Sequence, residues 1–228
     1  MAKKKVTRKQ LLKQPDEFLS TSARLVGFGV KYKNQVTWGV IGLLVLVVAV
    51  AGIRYYAAKT ESRSFTLLSQ AVIKFASLSQ EKGPATAYLE VEDDFNSLIK
   101  RFGGTDGGKI GRIMYADLSL QGGYPDTAIR LYKQALEDYA DKPMIKNSVF
   151  LSLAYAFEEK KEYAAAADYL ETLAAAPDAI GVGEALYNLG RIYALMGDAQ
   201  KSRQSYEKLL ADYPEFMYAD LVRAKLAG

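Results

Sequence analysis

The chain has 228 residues and a formal net charge of +4, and it contains no cysteine and no histidine. This composition excludes disulfides, thiolate chemistry, Cys/His zinc sites and any mechanism that needs an imidazole base. The positive charge lies at the N-terminus: residues 1–33 carry nine Lys/Arg and two acids, whereas residues 34–228 carry 21 bases and 24 acids. The larger part is therefore mildly acidic, which argues against a nucleic-acid-binding face there.

Residues 1–33 form a basic leader, which we expect to lie in the cytoplasm. Pro15 followed by two acids is typical of a helix start, because proline suits the first turn and acids suit the positive end of the helix dipole. Apolar residues that could form one stripe of this helix are Phe18, Leu19, Leu25 and Val26. Two interpretations stay open: an amphipathic helix on the inner leaflet, or a solvated leader that only sets topology.

Residues 34–54 are predicted to form a transmembrane helix, because no charged residue occurs from Asn34 to Ile53. A bilayer core of about 30 Å needs roughly 20 helical residues. A buried helix of a soluble protein is disfavoured, since no polar face interrupts the run. A cleaved signal peptide is also disfavoured, because its apolar region spans only about 7–15 residues.

The charges that flank this segment predict its orientation. Nine bases precede it, whereas the bases that follow within about 20 residues are Arg54, Lys59, Arg63 and Lys74. We therefore expect a single-pass protein with a cytoplasmic N-terminus. In a bacterium, it would lie in the inner membrane, with its C-terminal domain in the periplasm.

The remaining sequence predicts an all-α fold, because apolar residues recur at intervals of three and four. Residues 55–108 are predicted to be a helical connector, whose two helices could form a degenerate hairpin. The run Gly103–Lys109 superficially matches a phosphate-binding loop, but Ile110 stands where the magnesium-binding hydroxyl belongs. We interpret the run as a flexible connector.

Residues 109–216 contain three copies of a pattern, at about 109–142, 147–180 and 183–216. In the last copy, Leu189-Gly190 is followed by Tyr193, then by a Gly197-Asp198 turn and a closing Pro214; Pro177 closes the middle copy. This pattern resembles the tetratricopeptide repeat. The resemblance implies an α-solenoid of helical hairpins behind the single transmembrane helix, and residues 217–228 would be a C-terminal capping helix.

The first helices of such hairpins line a concave surface that can bind a peptide. Helical spacing places on it Leu151, Tyr155, Glu158, Glu184, Tyr187, Asn188, Arg191 and Leu195. Aromatic residues with arginine are frequent anchors of protein interfaces, although these tyrosines could equally serve packing alone. No nucleophile–base pair is recognisable, so we expect neither an enzyme nor a cofactor or metal.

A cytoplasmic leader, one anchor and a periplasmic repeat domain together resemble the YfgM-type family, the ancillary subunit of the bacterial Sec translocon. The stretch Gly52-Ile53-Arg54-Tyr55-Tyr56 is similar in character to that family, while the leader is longer and more basic. The resemblance covers about residues 36–228 and implies a non-enzymatic partner of the translocon and of periplasmic chaperones. A second hypothesis is a structural scaffold of an envelope assembly for division or polysaccharide export.

Overall fold

The computed structural model describes residue 23, residues 26–176 and residues 180–227. Within these residues the secondary structure is helical, without strands, so the prediction of an all-α fold is confirmed. Contacts divide the chain into one unit that ends at Ala58 and a second that begins at Lys59. Most of the predicted leader helix, including Phe18, Leu19 and Leu25, lies outside the described residues, as does Pro177.

From Lys33 onward, the described part of the chain forms nine helices. They are α1 (Lys33–Lys82), α2 (Pro84–Phe102), α3 (Asp106–Gln121), α4 (Pro125–Asp138), α5 (Pro143–Glu159), α6 (Tyr163–Ala174), α7 (Val182–Leu195), α8 (Ala199–Asp212) and α9 (Ala219–Ala227). Proline begins α2, α4 and α5, where its fixed φ angle and missing N–H suit a first helical turn.

The N-terminal unit contains the apolar part of α1. Side chains from Val36 to Ile53 are exposed along this stretch; Leu43 is 60% exposed and Val48 71%. By length and composition alone, α1 is apolar enough to cross a membrane. Contact between water and an uninterrupted apolar helix surface is unfavourable, so this stretch favours an apolar environment.

The second unit is a stack of helical hairpins. The pairs α3/α4, α5/α6 and α7/α8 each pack together; α4 also packs on α5, α6 on α7, and α9 on α8. One continuous apolar core runs through the stack, with Tyr115, Tyr132, Leu153 and Leu209 fully buried. Each helix has one apolar stripe, and it can bury this stripe only against a neighbouring helix.

The C-terminal part of α1 is attached to the stack by a side chain that caps another helix. The Glu61 carboxylate accepts hydrogen bonds from the backbone N–H groups of Gly107 (2.8 Å) and Asp106 (3.1 Å) at the start of α3. The first N–H groups of a helix have no partner within it, and a carboxylate there also meets the positive end of the dipole. Nearby on α1, Leu68 and Phe75 are buried in the core.

The glycine-rich run before Ile110 is not a flexible connector throughout, so that interpretation was wrong for residues 106–108. These residues form the first turn of α3, and Gly107 and Gly108 are buried. A Cβ atom on Gly107 would lie 2.3 Å from Ser64 Oγ, and one on Gly108 would lie 1.9 Å from the Phe102 carbonyl oxygen. The glycines therefore allow α3 to approach α1 and the end of α2 closely.

Candidate functional site

The predicted binding residues of the second and third hairpins lie on α5 and α7, and we call their shared surface the first-helix face. Its centre is Tyr155 of α5, whose hydroxyl donates to Glu184 Oε1 of α7 at 2.7 Å. The Asn188 side-chain amide donates to the same hydroxyl (3.0 Å) and to the backbone oxygen of Glu184 (3.0 Å). These bonds hold α5 and α7 in one register across the face.

A bidentate ion pair forms the second half of this network. Arg191 Nη1 and Nη2 donate to Glu158 Oε1 (2.6 Å) and Oε2 (2.7 Å), and Nη2 also donates to Asn188 Oδ1 (3.0 Å). The two side chains are only 32% and 23% exposed, so water screens the pair weakly. The bond to Glu158 raises the pKa of Arg191. Five predicted site residues thus form one polar network.

The protonation of Tyr155 keeps this network in one state at neutral pH. Burial, followed by the hydrogen bond to Glu184, raises the pKa of Tyr155 to about 12. The hydroxyl therefore remains a donor to Glu184 throughout the physiological range. The polar groups of the face are fixed before any ligand arrives, which lowers the entropy that binding would cost.

The remaining three predicted residues provide apolar surface. Leu151 is partly buried against the core. Tyr187 belongs to an aromatic cluster, because its ring centroid lies 4.9 Å from that of Tyr218 and 6.2 Å from that of Phe216. Leu195 is 53% exposed. The structure therefore separates the two tyrosines: Tyr155 links helices by hydrogen bonds, whereas Tyr187 presents a ring at a partly open surface.

Sequence reasoning assigned the residues after Phe216 to a cap and missed their exposed surface. Met217 is 78% exposed, Tyr218 41% and Leu221 47%, and the Tyr218 ring lies tilted beside that of Tyr187. A signal existed, since three large apolar residues follow Pro214 and Glu215 in a turn outside any amphipathic helix. Tyr218 extends the apolar part of the first-helix face, because its ring lies beside that of Tyr187.

A cavity of about 400 Å³ opens beside the network, between the end of α3 and the α5/α6 turn. Its lining residues are Leu120, Tyr155, Glu158, Glu159, Lys161 and Tyr163. A side chain that enters this cavity would meet Tyr155 and Glu158. Among the described residues, no group of three acids is placed to hold a metal ion.

Comparison with known proteins agrees with this architecture. The tetratricopeptide repeat-like domain family matches residues 28–228. Comparison with curated proteins finds no match. A kinesin-light-chain-type protein of Podosopora anserina with nearly identical TPR-like repeats is 16% identical, with a TM-score of 0.57, over 73% of this chain and 84% of that one.

Two further solved structures share the fold. BtubC (BKLC) from P. vanneervenii is 20% identical, with a TM-score of 0.56, over 78% of this chain and 77% of that one. A tetratricopeptide repeat protein from Parabacteroides merdae is 16% identical, with a TM-score of 0.54, over 71% of this chain and 59% of that one. At these identities the likeness concerns the fold alone. With the family match across nearly the whole described chain, the protein belongs to the tetratricopeptide repeat-like domain family.

Proposed function

We propose that this protein is a membrane-anchored scaffold that binds segments of other proteins on its first-helix face. The observation that carries the proposal is the exposed apolar surface of Leu195 and Tyr218 on a face that the network of Tyr155, Glu184 and Arg191 holds rigid. Repeats of this family generally bind other proteins, and the fold is typically non-catalytic.

The arrangement of the face indicates which kind of segment it binds. Because Arg191 and Glu158 satisfy each other, neither offers a free charge without breaking a bidentate pair. Affinity would therefore come from contacts with Tyr187 and Leu195, and with exposed Tyr218 at the edge. An extended, largely apolar segment fits such a surface better than a charged one.

Mutation of the apolar positions tests this proposal. Tyr187→Ala and Leu195→Ala should each weaken crosslinking of partner proteins several-fold, because a few aromatic and aliphatic anchors dominate interface energies. Ile73→Ala is the matched control for Leu195→Ala, since both are exposed apolar side chains, at 65% and 53%. Equal loss of crosslinks in the control and in both variants would contradict binding at the first-helix face.

We propose further that the apolar part of α1 spans the bacterial inner membrane, with the leader in the cytoplasm and the repeats in the periplasm. The exposed apolar side chains of this stretch and the nine bases of the leader support this topology. Protease added to intact spheroplasts should degrade the repeat domain and spare the leader. A protected repeat domain would contradict the topology.

Our preferred partners are the Sec translocon and periplasmic chaperones, so that the protein would be an accessory for emerging envelope proteins. The alternative is a structural subunit of a division or polysaccharide-export assembly, and the exposed Met217, Tyr218 and Leu221 favour it, because permanent interfaces are more apolar. Crosslinking in native membranes followed by mass spectrometry separates them. Translocon and folding-factor products support the first; a stoichiometric complex of division or export proteins supports the second.

A further inference from the structure

A second recess lies away from the first-helix face, between the second helices of two consecutive hairpins. We call it the α6–α8 crease. It has a volume of about 380 Å³, and its apolar residues include Leu186, Leu189 and Tyr193 of α7, Ala174 of α6 and Ala175, which follows α6. This volume lies at the lower end of the roughly 300–1,000 Å³ of known ligand pockets, and it is enough for one large side chain.

The preceding hairpin shows what fills the corresponding place. Residues of the middle copy correspond to those of the last copy with an offset of 36, so Phe150 matches Leu186, Phe157 matches Tyr193 and Tyr169 matches Ser205. In the middle copy, the ring of Tyr169 stacks on Phe157 at 5.6 Å between centroids, and it lies 6.0 Å from Phe150. An aromatic side chain therefore occupies this position between α4 and α6.

The last copy lacks that side chain. Ser205 stands at the position of Tyr169, and its hydroxyl donates to the Lys201 backbone oxygen at 2.9 Å. Leu186 replaces the larger Phe150, while Tyr193 keeps an aromatic ring on the floor. The crease thus lies where an aromatic ring of the preceding hairpin packs. Its floor is covered by the Lys201 side chain, since Tyr193 is only 5% exposed, so a ring from outside reaches the floor by displacing Lys201.

Charges at the rim indicate what should accompany the ring. Lys201 and Lys208 of α8 border the crease, and Lys201 Nζ lies 4.9 Å from the centroid of the Tyr193 ring. Lys208 pairs with Asp212 at 2.7 Å, but the two side chains are 56% and 46% exposed, so the pair is weak and Lys208 can meet a second carboxylate. The acid at the opposite rim, Glu171, accepts the hydrogen bond of the Tyr193 hydroxyl. The α8 side of the rim therefore favours carboxylates on the ligand.

We propose that the α6–α8 crease is a docking site for an aromatic side chain of a partner polypeptide that carries acidic residues beside it. The partner ring would displace the Lys201 side chain and stack on Tyr193 as Tyr169 stacks on Phe157. The displaced Lys201 and Lys208 would then meet the flanking carboxylates. This site is separate from the first-helix face, so the protein can hold two segments at once, and loss of one site leaves the other.

The test measures binding of the peptide Gly-Asp-Phe-Asp-Gly to the full chain in lipid nanodiscs. Saturation-transfer NMR detects the bound peptide. Saturation should reach the phenylalanine ring protons, and the signal should saturate with peptide concentration. Ser205→Tyr restores the missing ring from within, so it should weaken binding by roughly tenfold or more while keeping the helical content and the thermal midpoint. The control variant Glu207→Tyr adds the same side chain at an exposed position of α8, and it should bind the peptide with the affinity of the wild type.

A second variant covers the case in which Ser205→Tyr folds poorly. Leu186→Phe copies Phe150 on the floor of the crease and should also weaken binding several-fold. The peptides Gly-Asp-Ala-Asp-Gly and Gly-Lys-Phe-Lys-Gly should bind less well, because one lacks the ring and the other repels the lysines. The proposal would be overturned if both variants bound the peptide with wild-type affinity. It would also be overturned if the alanine or lysine peptide bound as well as Gly-Asp-Phe-Asp-Gly, or if empty nanodiscs gave the same signal as nanodiscs that hold the protein.

Discussion

The side chains of Arg191 and Glu158 show how single residues link successive hairpins. Their bidentate bond joins α7 to α5 across 33 positions of sequence, and both groups are largely shielded from water. Removal of one partner leaves the other charge partly buried and unpaired, which costs more than the pair itself contributes.

Arg191→Ala should therefore lower the free energy of unfolding by about 1–3 kcal/mol, measured by chemical denaturation of the full chain in nanodiscs. Arg203→Ala is the matched control, because its ion pair with Glu207 is exposed and should contribute only about 0.5 kcal/mol or less. The double variant Glu158→Leu/Arg191→Met should recover most of the loss. A loss no larger than that of the control would show that the ion pair does not support the stack.

Asp117 of α3 should make the stability of the repeat domain depend on pH. Burial raises the pKa of Asp117, and the hydrogen bond from the Tyr132 hydroxyl opposes this shift in part. Between the ordinary pKa and the raised one, the folded state holds a proton that the unfolded chain has released. The free energy of unfolding is therefore higher at pH values below the ordinary pKa, and it falls as the pH rises from the ordinary pKa to the raised one.

Asp117→Asn should remove this loss, because asparagine does not titrate and still offers an oxygen to Tyr132. We expect a flatter profile of unfolding midpoint against pH across the mildly acidic range, followed by circular dichroism at each pH. Asp220→Asn is the control, since the Asp220 side chain is 98% exposed. The same decline with pH in wild type and Asp117→Asn would rule out Asp117 as its source.

At the scale of helices, one glycine sets how closely α7 and α8 cross. A Cβ atom on Gly190 would lie 2.3 Å from Cε1 of Tyr206, and the rigid ring cannot yield by moving a flexible end. The Ser202 hydroxyl of α8 donates to the Gly190 backbone oxygen at 2.6 Å, which also requires close approach.

Gly190→Ala should thus reduce stability by about 1–3 kcal/mol, although alanine is the better helix former. Gly104→Ala is the control, because a Cβ there meets nothing within 4 Å. Thermal unfolding followed by circular dichroism compares the two. A midpoint for Gly190→Ala at or above that of the wild type would mean that the helices can move apart without loss.

The contact of Glu61 with the start of α3 is a helix cap supplied by a distant helix. Glu61→Ala leaves the N–H groups of Asp106 and Gly107 without this acceptor and should cost about 0.5–2 kcal/mol. Hydrogen exchange should show faster opening at the first turn of α3, with little change in α8. Glu81→Ala, an exposed glutamate of the same helix, should change neither region. Uniform exchange in both variants would contradict a local role for Glu61.

At the scale of the whole molecule, the proposed anchor determines where the repeats act. Replacement of both Leu44 and Val45 by arginine should add about 5–7 kcal/mol to the cost of insertion, from about 2.5–3.5 kcal/mol for each arginine. The variant should then appear in the soluble fraction after carbonate extraction. A double replacement of Tyr55 and Tyr56 by serine, beyond the apolar run, should stay in the membrane. A membrane-bound arginine variant would contradict anchoring by this stretch.

Most of the secondary structure could be predicted from the sequence, because helix periodicity and turn residues are local signals. Spacing also placed Tyr155, Glu158, Glu184, Asn188 and Arg191 on one surface before the structure showed their bonds. Spacing did not predict that Met217 and Tyr218 are exposed. Their exposure depends on how α9 packs on α8, which the local sequence pattern does not give.

By itself, the sequence determined an uncharged stretch long enough for a bilayer, an asymmetric charge distribution and a repeated helical hairpin, since each depends on residues close together in the chain. Only the tertiary structure decided that Arg191 pairs with Glu158, that Glu61 caps α3 and that Ser205 leaves a recess where Tyr169 fills one. These outcomes depend on the crossing and spacing of helices that are far apart in sequence, and side-chain volumes set both at each contact.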